Sequence, residues 1–474
     1  MEKAKRRDTY TAILFLAGLI FVLGYLFAGL MPKMGGFAAV SKPGHRSYAE
    51  TQTLRGESLS GRNLHAMRNH LAAPPPDLSG LPGEIIKFID TSEKNLNTYL
   101  DRDFAFIELY GGAQRLMGRS IIEDPDPQYT VVRLTDEVLG FVNLDAEPVD
   151  MEDRAREMIE FARRVRKECD GVHTLYIQAP SKLTVFDLPE GLTDYSNDEA
   201  DQFLSILEDS YLVDTLDLRP AFREAVESGD AEPEELFFRT DHHWTPQGAF
   251  LGFQTICEKL KADYGFNIEK EWVRNRSYTK TYFDGFFLGS MAKRVGSLYA
   301  GMDGLEIWSP TFATNFTYTV PLSGIKREGS FATTLLFPER LVDTNYYIDN
   351  PYSIYSGDDY LLARAVNHNN PDAPRLLILR DSFGCALTPF LAIASSEMMA
   401  VEPRAFNSDQ DYMIEYINWL DPDLIIVINT TSSLRVDNLY PYLPTGYENK
   451  MAALQSETEE SPEDISADTG SVTP

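Results

Sequence analysis

Two uninterrupted apolar runs, Leu376–Leu379 and Leu424–Ile428, constrain the fold more than any other feature of the chain. A strand with one face in water alternates apolar and polar residues. A strand without that alternation is covered on both faces, as in a parallel sheet flanked by helices. The surrounding periodicity agrees. Met151, Ala155, Met158, Ala162, Val165 and Cys169 recur at steps of four and three, which predicts a helix stopped by Gly171. Val172–Ala179 reads as a strand. A helix follows near Asp198–Asp209, a strand near Tyr211–Thr215, a short helix after Pro220 and a strand at Leu236–Phe238. The C-terminal third repeats the rhythm, with helices near Cys385–Ser395 and Gln410–Leu420 around a strand near Met398–Val401. This alternation predicts an α/β layered domain with a mostly parallel sheet. Ile85–Met117 reads as a helix at its front. Residues 270–350, rich in Tyr, Phe, Gly and Thr, have no helical period and read as a strand- and loop-rich insertion.

The N-terminus addresses the chain to a membrane. Tyr10–Met31 is apolar and uncharged, close to the roughly 20 residues that span a bilayer core. It is longer than a secretory signal's apolar region and no clear A-x-A cleavage site follows, so a transmembrane signal anchor is expected. Lys3, Lys5, Arg6 and Arg7 precede it and place residues 1–9 in the cytoplasm and everything after the anchor outside. Residues 32–80, with Pro74–Pro76, read as a juxtamembrane tether. Residues 449–474 read as an acidic, disordered tail. The folded extracytoplasmic unit is then 81–448.

Charge and cysteine content narrow the function. Against 43 Lys+Arg stand 72 Asp+Glu, a net charge of −29, which disfavours nucleic-acid binding through a basic surface. Cys169, Cys257 and Cys385 are far apart and form no ligand pair, so neither a disulfide framework nor a structural zinc site is expected.

Two segments carry chemistry. In Arg239–Gly248 (RTDHHWTPQG), Thr245 is a good N-cap and Pro246 a good first helical residue, so Asp241, His243 and Trp244 lie on a loop feeding a helix. A carboxylate two residues from an imidazole can fix its tautomer and raise its basicity. Asp-His-His could also ligate zinc, but adjacent histidines point different ways on most backbones. In Leu376–Gly384 (LLILRDSFG) a strand ends, Ser382 follows and a helix begins. That junction exposes a hydroxyl at the carboxyl edge of the sheet, near helix N–H groups suited to an oxyanion. A Ser, a His and an Asp in any chain order can build one triad.

TDHHWTPQGA, LLILRDSFGCALTPFLA and MMAVEPRAFN together resemble the DHHW proteins, relatives of the alginate O-acetylation proteins in the SGNH-hydrolase-like superfamily. The resemblance extends to FDGFFLGSMAKRVG (Phe283–Gly296), YSIYSGDD and NLNTYLDRDFAF, and spans nearly all of residues 85–435. It implies Ser382 as nucleophile, His243 as base and Asp241 as the carboxylate that orients it. Arg380 departs from the wider superfamily, where a glycine stands in the GDS motif. The Ser382 N–H is the first oxyanion donor to consider and Gly289 a second. Arg404 could reach the same edge, or brace a loop. Trp244 could stack on a sugar ring, or lie in the core. Lys182 could hold an anionic or polyol ligand, or lie on the surface.

The resemblance implies a membrane-anchored O-acetyltransferase or acetylesterase acting outside the cytoplasmic membrane on a secreted or cell-wall polysaccharide. A membrane-bound O-acyltransferase is the partner it suggests, and the chemistry requires neither cofactor nor metal. The competing reading is a non-catalytic polysaccharide-binding component of an export complex. The separation of Ser382 Oγ from the His243 ring discriminates between them.

Overall fold

The computed structural model describes residues 104–124, 126–145, 147–341, 346–403 and 412–435. The expected anchor, tether, tail, the front half of the Ile85–Met117 helix and Arg404 lie outside these residues. Among the described residues no helix is long and apolar enough to cross a membrane.

Thirteen strands are described: β1 Ile121–Ile122, β2 Val131–Arg133, β3 Leu139–Phe141, β4 His173–Gln178, β5 Asp214–Asp217, β6 Tyr278–Phe287, β7 Asp303–Pro310, β8 Phe316–Val320, β9 Ile325–Gly329, β10 Leu362–Asn367, β11 Arg375–Arg380, β12 Glu397–Val401 and β13 Leu424–Asn429. The helices used below are α1 Ala105–Leu116, α2 Glu152–Glu168, α3 Ser196–Ser210, α4 Arg219–Glu227, α5 Pro246–Tyr264, α6 Gly384–Ile393 and α7 Tyr412–Leu420.

Eight strands form the main sheet in the order β5-β4-β13-β11-β12-β10-β8-β9. The first five are mutually parallel and the last three join by antiparallel pairing. At the centre Leu376–Leu379 lies in register with Leu424–Val427 on one side and Met398–Val401 on the other. The two apolar runs behave as their composition requires. Leu376, Ile378, Leu424, Ile426 and Ile428 enter one core, while Leu377, Leu379, Ile425 and Val427 enter the other. Side chains of α5 and α6 fill the first core and those of α2, α3 and α7 the second. Each of these buried aliphatic side chains contributes about 1.5–3 kcal/mol relative to exposure.

The helix read from Met151–Cys169 is α2, and the strand read from Val172–Ala179 is β4. Two expectations are corrected. Leu236–Phe238 is no strand. Pro233–Leu236 makes a helical turn with a Glu232–Glu235 capping box, and only an isolated Phe237–Trp244 bridge follows. The strand expected from Tyr211 begins at Asp214, because Tyr211 caps α3 in the left-handed region with φ 54°. Residues 270–350 contain the expected strands. β6 and β7 form an antiparallel ribbon, and β8 and β9 extend the main sheet through β10. β1, β2 and β3 make a third small sheet, which packs on Met291, Val295 and Tyr299.

Candidate active site

Because β4, β13 and β11 are parallel, they end at one edge of the sheet, in Gln178, Asn429 and Arg380. The turn Asp381–Phe383 leaves that edge and enters α6. Asp381 is the clamp of this turn. Its Oδ1 accepts from the Phe383 N–H at 3.0 Å. Its Oδ2 accepts from the Thr430 N–H at 3.0 Å and the Ser433 hydroxyl at 2.6 Å, tying the turn to the exit of β13. Gly384 N–H donates to Asp381 O and Cys385 N–H to Ser382 O. The Ser382 N–H is left without a protein partner among the described residues, which suits it to receive an oxyanion.

Arg380 lies entirely buried behind this turn. Its Nη1 donates to Asp359 Oδ1 at 2.5 Å and to Asp381 O at 3.3 Å. A Cβ on Gly384 would sit 2.2 Å from Arg380 Cδ, so the arginine that replaces one glycine of the wider motif demands another beside it. Burial pushes the Arg380 pKa down, but the charges of Asp359 and Glu402 and the hydrogen bond to Asp359 outweigh it and raise the pKa, so the guanidinium stays charged. Burial also raises the Cys385 thiol well above its ordinary range, and its Sγ lies 3.0 Å from Asp359.

The second half of the site is irregular backbone. Thr245 caps α5 by accepting from the Gly248 N–H at 3.1 Å, with Pro246 first in the helix, as the sequence requires. Thr245 N–H donates to Leu236 O and Phe238 N–H to His243 O, so the loop that carries the Asp and both His residues is closed at its base. Asp303 holds its near limb, accepting from the Arg239 N–H at 2.8 Å and from the Thr240 N–H and hydroxyl at 2.7 and 2.5 Å.

The two halves meet at Ser382. His243 Nε2 is 2.8 Å from Ser382 Oγ, and His243 Nδ1 is 2.5 Å from Asp241 Oδ1. An ionised carboxylate only accepts, so Nδ1 carries the proton and Nε2 faces the serine as an acceptor. Asp241 is buried, and burial alone would raise its pKa. The charges of His243 and His242, with hydrogen bonds from His243 and the Ser290 N–H, hold it well below the carboxylate range. The His243 ring is packed between His242, at a centroid distance of 3.8 Å, and Tyr352, stacked at 4.1 Å. Asp241, His242 and His243 have donor atoms within 4.8 Å of one another, a spacing a metal could use. In this arrangement His243 spends both ring nitrogens on Asp241 and Ser382, and Asp241 accepts through both oxygens.

Of three other sequence candidates, Trp244 takes the core alternative, while Gly289 and Lys182 have different roles from those expected. Trp244 is fully buried. Its indole donates to Phe383 O at 3.0 Å and its ring stacks on Phe222, so it braces the serine turn and cannot stack on a sugar. The Gly289 N–H is spent on Thr240 Oγ1 at 3.1 Å and is no oxyanion donor. A Cβ there would fall 2.4 Å from the Asp241 nitrogen, so the glycine permits close approach of two loops. Lys182 is neither on the surface nor open to a ligand. Its Nζ donates to Leu139 O at 2.5 Å and Arg239 O at 3.1 Å, and burial pushes its pKa down to about 7 against the pull of Asp303 and Asp241.

Sequence reasoning passed over Asp303, Ser290 and Tyr352. Ser290 donates its N–H to Asp241 Oδ2 at 2.7 Å and places its hydroxyl 2.7 Å from His242 Nδ1. Tyr352 donates to Phe383 O at 3.1 Å, the same carbonyl that Trp244 uses. Ser290 and Tyr352 fall inside FLGSM and YSIYSGDD, segments singled out only as resemblances. Asp303 had no such signal.

The sheet and its flanking helices form an SGNH-hydrolase-like α/β fold. Within that class, residues 224–401 match the model of the DHHW protein family, a span that includes Asp241, His243 and Ser382. Residues 141–289 match the SGNH hydrolase-like domain of the acetyltransferase AlgX. These matches bear out the resemblance read from the sequence. Among solved structures, Bacillus cereus PatB1 is similar at 22% identity, covering 65% of this chain and 98% of that one with a TM-score of 0.53. A DHHW family protein from Eubacterium siraeum is similar at 18% identity, over 68% of this chain and 97% of that one, with a TM-score of 0.53. No curated relative matches the sequence.

Proposed function

We propose that this chain is a serine-dependent O-acetyltransferase or acetylesterase that acts on a secreted or cell-wall polysaccharide. The observation that carries the proposal is the 2.8 Å contact between Ser382 Oγ and a His243 ring whose other nitrogen is fixed by Asp241. A polysaccharide-binding component without chemistry has no need of that contact. The match of residues 141–289 to a domain of an acetyltransferase supports acetyl as the group transferred.

In the proposed reaction His243 Nε2 takes the Ser382 hydroxyl proton as Oγ bonds to the donor's acyl carbon. The Ser382 N–H receives the oxyanion. Collapse breaks the bond to the donor's leaving oxygen, which takes the proton back from His243. A sugar hydroxyl then repeats the steps in reverse on the acyl-serine, while water in its place makes the enzyme an esterase. Asp241 stays ionised throughout and stabilises the imidazolium. The uncharged run Tyr10–Met31 supports an anchor that holds this domain outside the cytoplasmic membrane, beside a membrane-bound O-acyltransferase as donor.

The test is 4-nitrophenyl acetate turnover by the protein, with and without an oligosaccharide acceptor, alongside Ser382→Ala and His243→Ala. Activity lost in both variants supports the reading, and acetylated acceptor selects transferase over esterase. Turnover unchanged in folded Ser382→Ala protein overturns it.

A further inference from the structure

His242 stands beside the reacting pair, and the chemistry above gives it no task. Its ring lies 3.8 Å from that of His243 and 5.9 Å from that of Phe383, the residue after the nucleophile. Among the described residues, three rings pack on the His243 imidazole: His242, Tyr352 and Phe383. Tyr352 and Phe383 are buried, whereas 34% of the His242 side chain is exposed. The His242 Nδ1 lies 2.7 Å from the Ser290 hydroxyl, and Ser290 is itself fixed by its N–H on Asp241. The Nε2 has no protein partner among the described residues and reaches solvent. The histidine loop thus holds this imidazole by one nitrogen and leaves the other open. Burial of the rest of the ring, then the charge of His243, lower its pKa to about 3, so it is a neutral group that suits a hydroxyl better than an anion.

Resting on the acyl-transfer reading, we infer that His242 Nε2 binds the hydroxyl next to the one that carries the acetyl group, and so selects alcohols with vicinal hydroxyls. The proton fixes where the alcohol sits. In both half-reactions the alcohol oxygen that leaves or attacks exchanges its proton with His243 Nε2, so that oxygen lies against the His243 ring. The acyl carbonyl oxygen is taken by the Ser382 N–H. The rest of the alcohol then meets the groups that surround His243. Phe383 is apolar and Tyr352 spends its hydroxyl on the Phe383 carbonyl, so of the three rings His242 alone has a polar atom to give. A hydroxyl both donates and accepts, and it pairs with Nε2 whichever ring nitrogen carries the proton. A sugar ring supplies neighbouring hydroxyls. Water brings no second hydroxyl, so the contact also favours transfer over hydrolysis.

The experiment compares two esters on the full chain, 2-hydroxypropyl acetate and propyl acetate, which differ only in the neighbouring hydroxyl. The native chain should prefer the first by about tenfold in kcat/KM, the scale of one neutral hydrogen bond. An asparagine amide falls near the Nδ1 position and keeps a partner for Ser290, while a glutamine amide reaches the Nε2 position. His242→Asn should therefore cut the preference about fivefold, and His242→Gln should keep at least about half of it. No preference in the native chain, whether both esters are cleaved or neither, overturns the contact, as does a preference that His242→Asn leaves intact. An equal loss on both esters, or rescue by Asn and not by Gln, also overturns it and makes His242 a brace for Ser290 alone. Ser382→Ala runs alongside. Acetate release that survives Ser382→Ala removes the acyl-transfer reading. Release that depends on Ser382 but shows no preference removes the His242 contact and leaves that reading standing.

Discussion

The serine turn and the histidine loop face each other across 2.8 Å, yet they are held in place by different means. Ser382 sits between a central strand and a helix whose ten residues are all buried, so regular backbone and apolar packing fix it, with Asp381 closing the turn. His243 sits on bends with no strand beneath it. Its position depends on side-chain carboxylates: Asp303 for the near limb and Asp241 for the ring, with Lys182 holding two backbone carbonyls below. The serine side is a product of the fold, while the histidine side is a polar network whose members must all be present. Perturbing either should cost folding stability, but perturbing the second should also cost activity while the fold still stands.

The largest effects remove the reacting groups themselves. Ser382→Ala and His243→Ala should each lower kcat on the order of 10⁶-fold, and the double variant should lose little more, since the pair acts as a unit. Additive losses in the double variant would break the idea that the two halves work through one contact.

Asp303→Ala comes next and tests the contrast directly. It strands the Arg239 and Thr240 N–H groups and the Thr240 hydroxyl, all of which donate to this buried carboxylate. A stability loss of about 3 kcal/mol is expected, as for a broken buried network. Below the melting transition, kcat should also fall by about two orders of magnitude, because a 1 Å misplacement of a catalytic group has that size of effect. Full turnover in folded Asp303→Ala protein would mean that the loop holds itself. Gly384→Ala probes the other half. Its Cβ would meet Arg380 Cδ at 2.2 Å, and overpacking of this kind costs about 1–3 kcal/mol. A melting curve that does not shift would show that the turn behind Ser382 is looser than its burial implies.

The same contrast explains what could be read from the chain. Ser382 was legible because local rules place it: an apolar strand, a polar turn, a helix start. Asp241 and His243 were legible because Thr245 and Pro246 mark the helix they precede. The supports of the histidine loop were not, because they are tertiary. Nothing near Asp303 in the sequence announces that its carboxylate caps residues 239 and 240. Gly289 and Lys182 were noticed for the right neighbourhood and given the wrong task, and Trp244 was left open between a sugar and the core, since a residue's type does not say which way it faces. Indole, glycine and ammonium all turned inward and serve the loops instead of a ligand. In the fold, β8 and β9 escaped as members of the main sheet because antiparallel strands with alternating burial look alike whichever sheet they join.

Lys182 touches no reacting group and offers the sharpest sign. Its pKa is about 7 in the folded chain, because of burial, and about 10.4 unfolded. Between these values the unfolded chain binds more protons, so this group makes stability rise with pH from about 7 to about 10, by at most about 1.4 kcal/mol per pH unit. Below pH 7 both states are charged and the slope vanishes. Lys182→Met keeps the stem and removes the titration, at the cost of leaving the Leu139 and Arg239 carbonyls without their donor. Subtracting the variant's stability curve from that of the native chain should therefore leave a line that climbs above pH 7 and is flat below it. A flat difference across the whole range would mean that the ammonium reaches water, and that the histidine loop is less closed at its base than its hydrogen bonds imply.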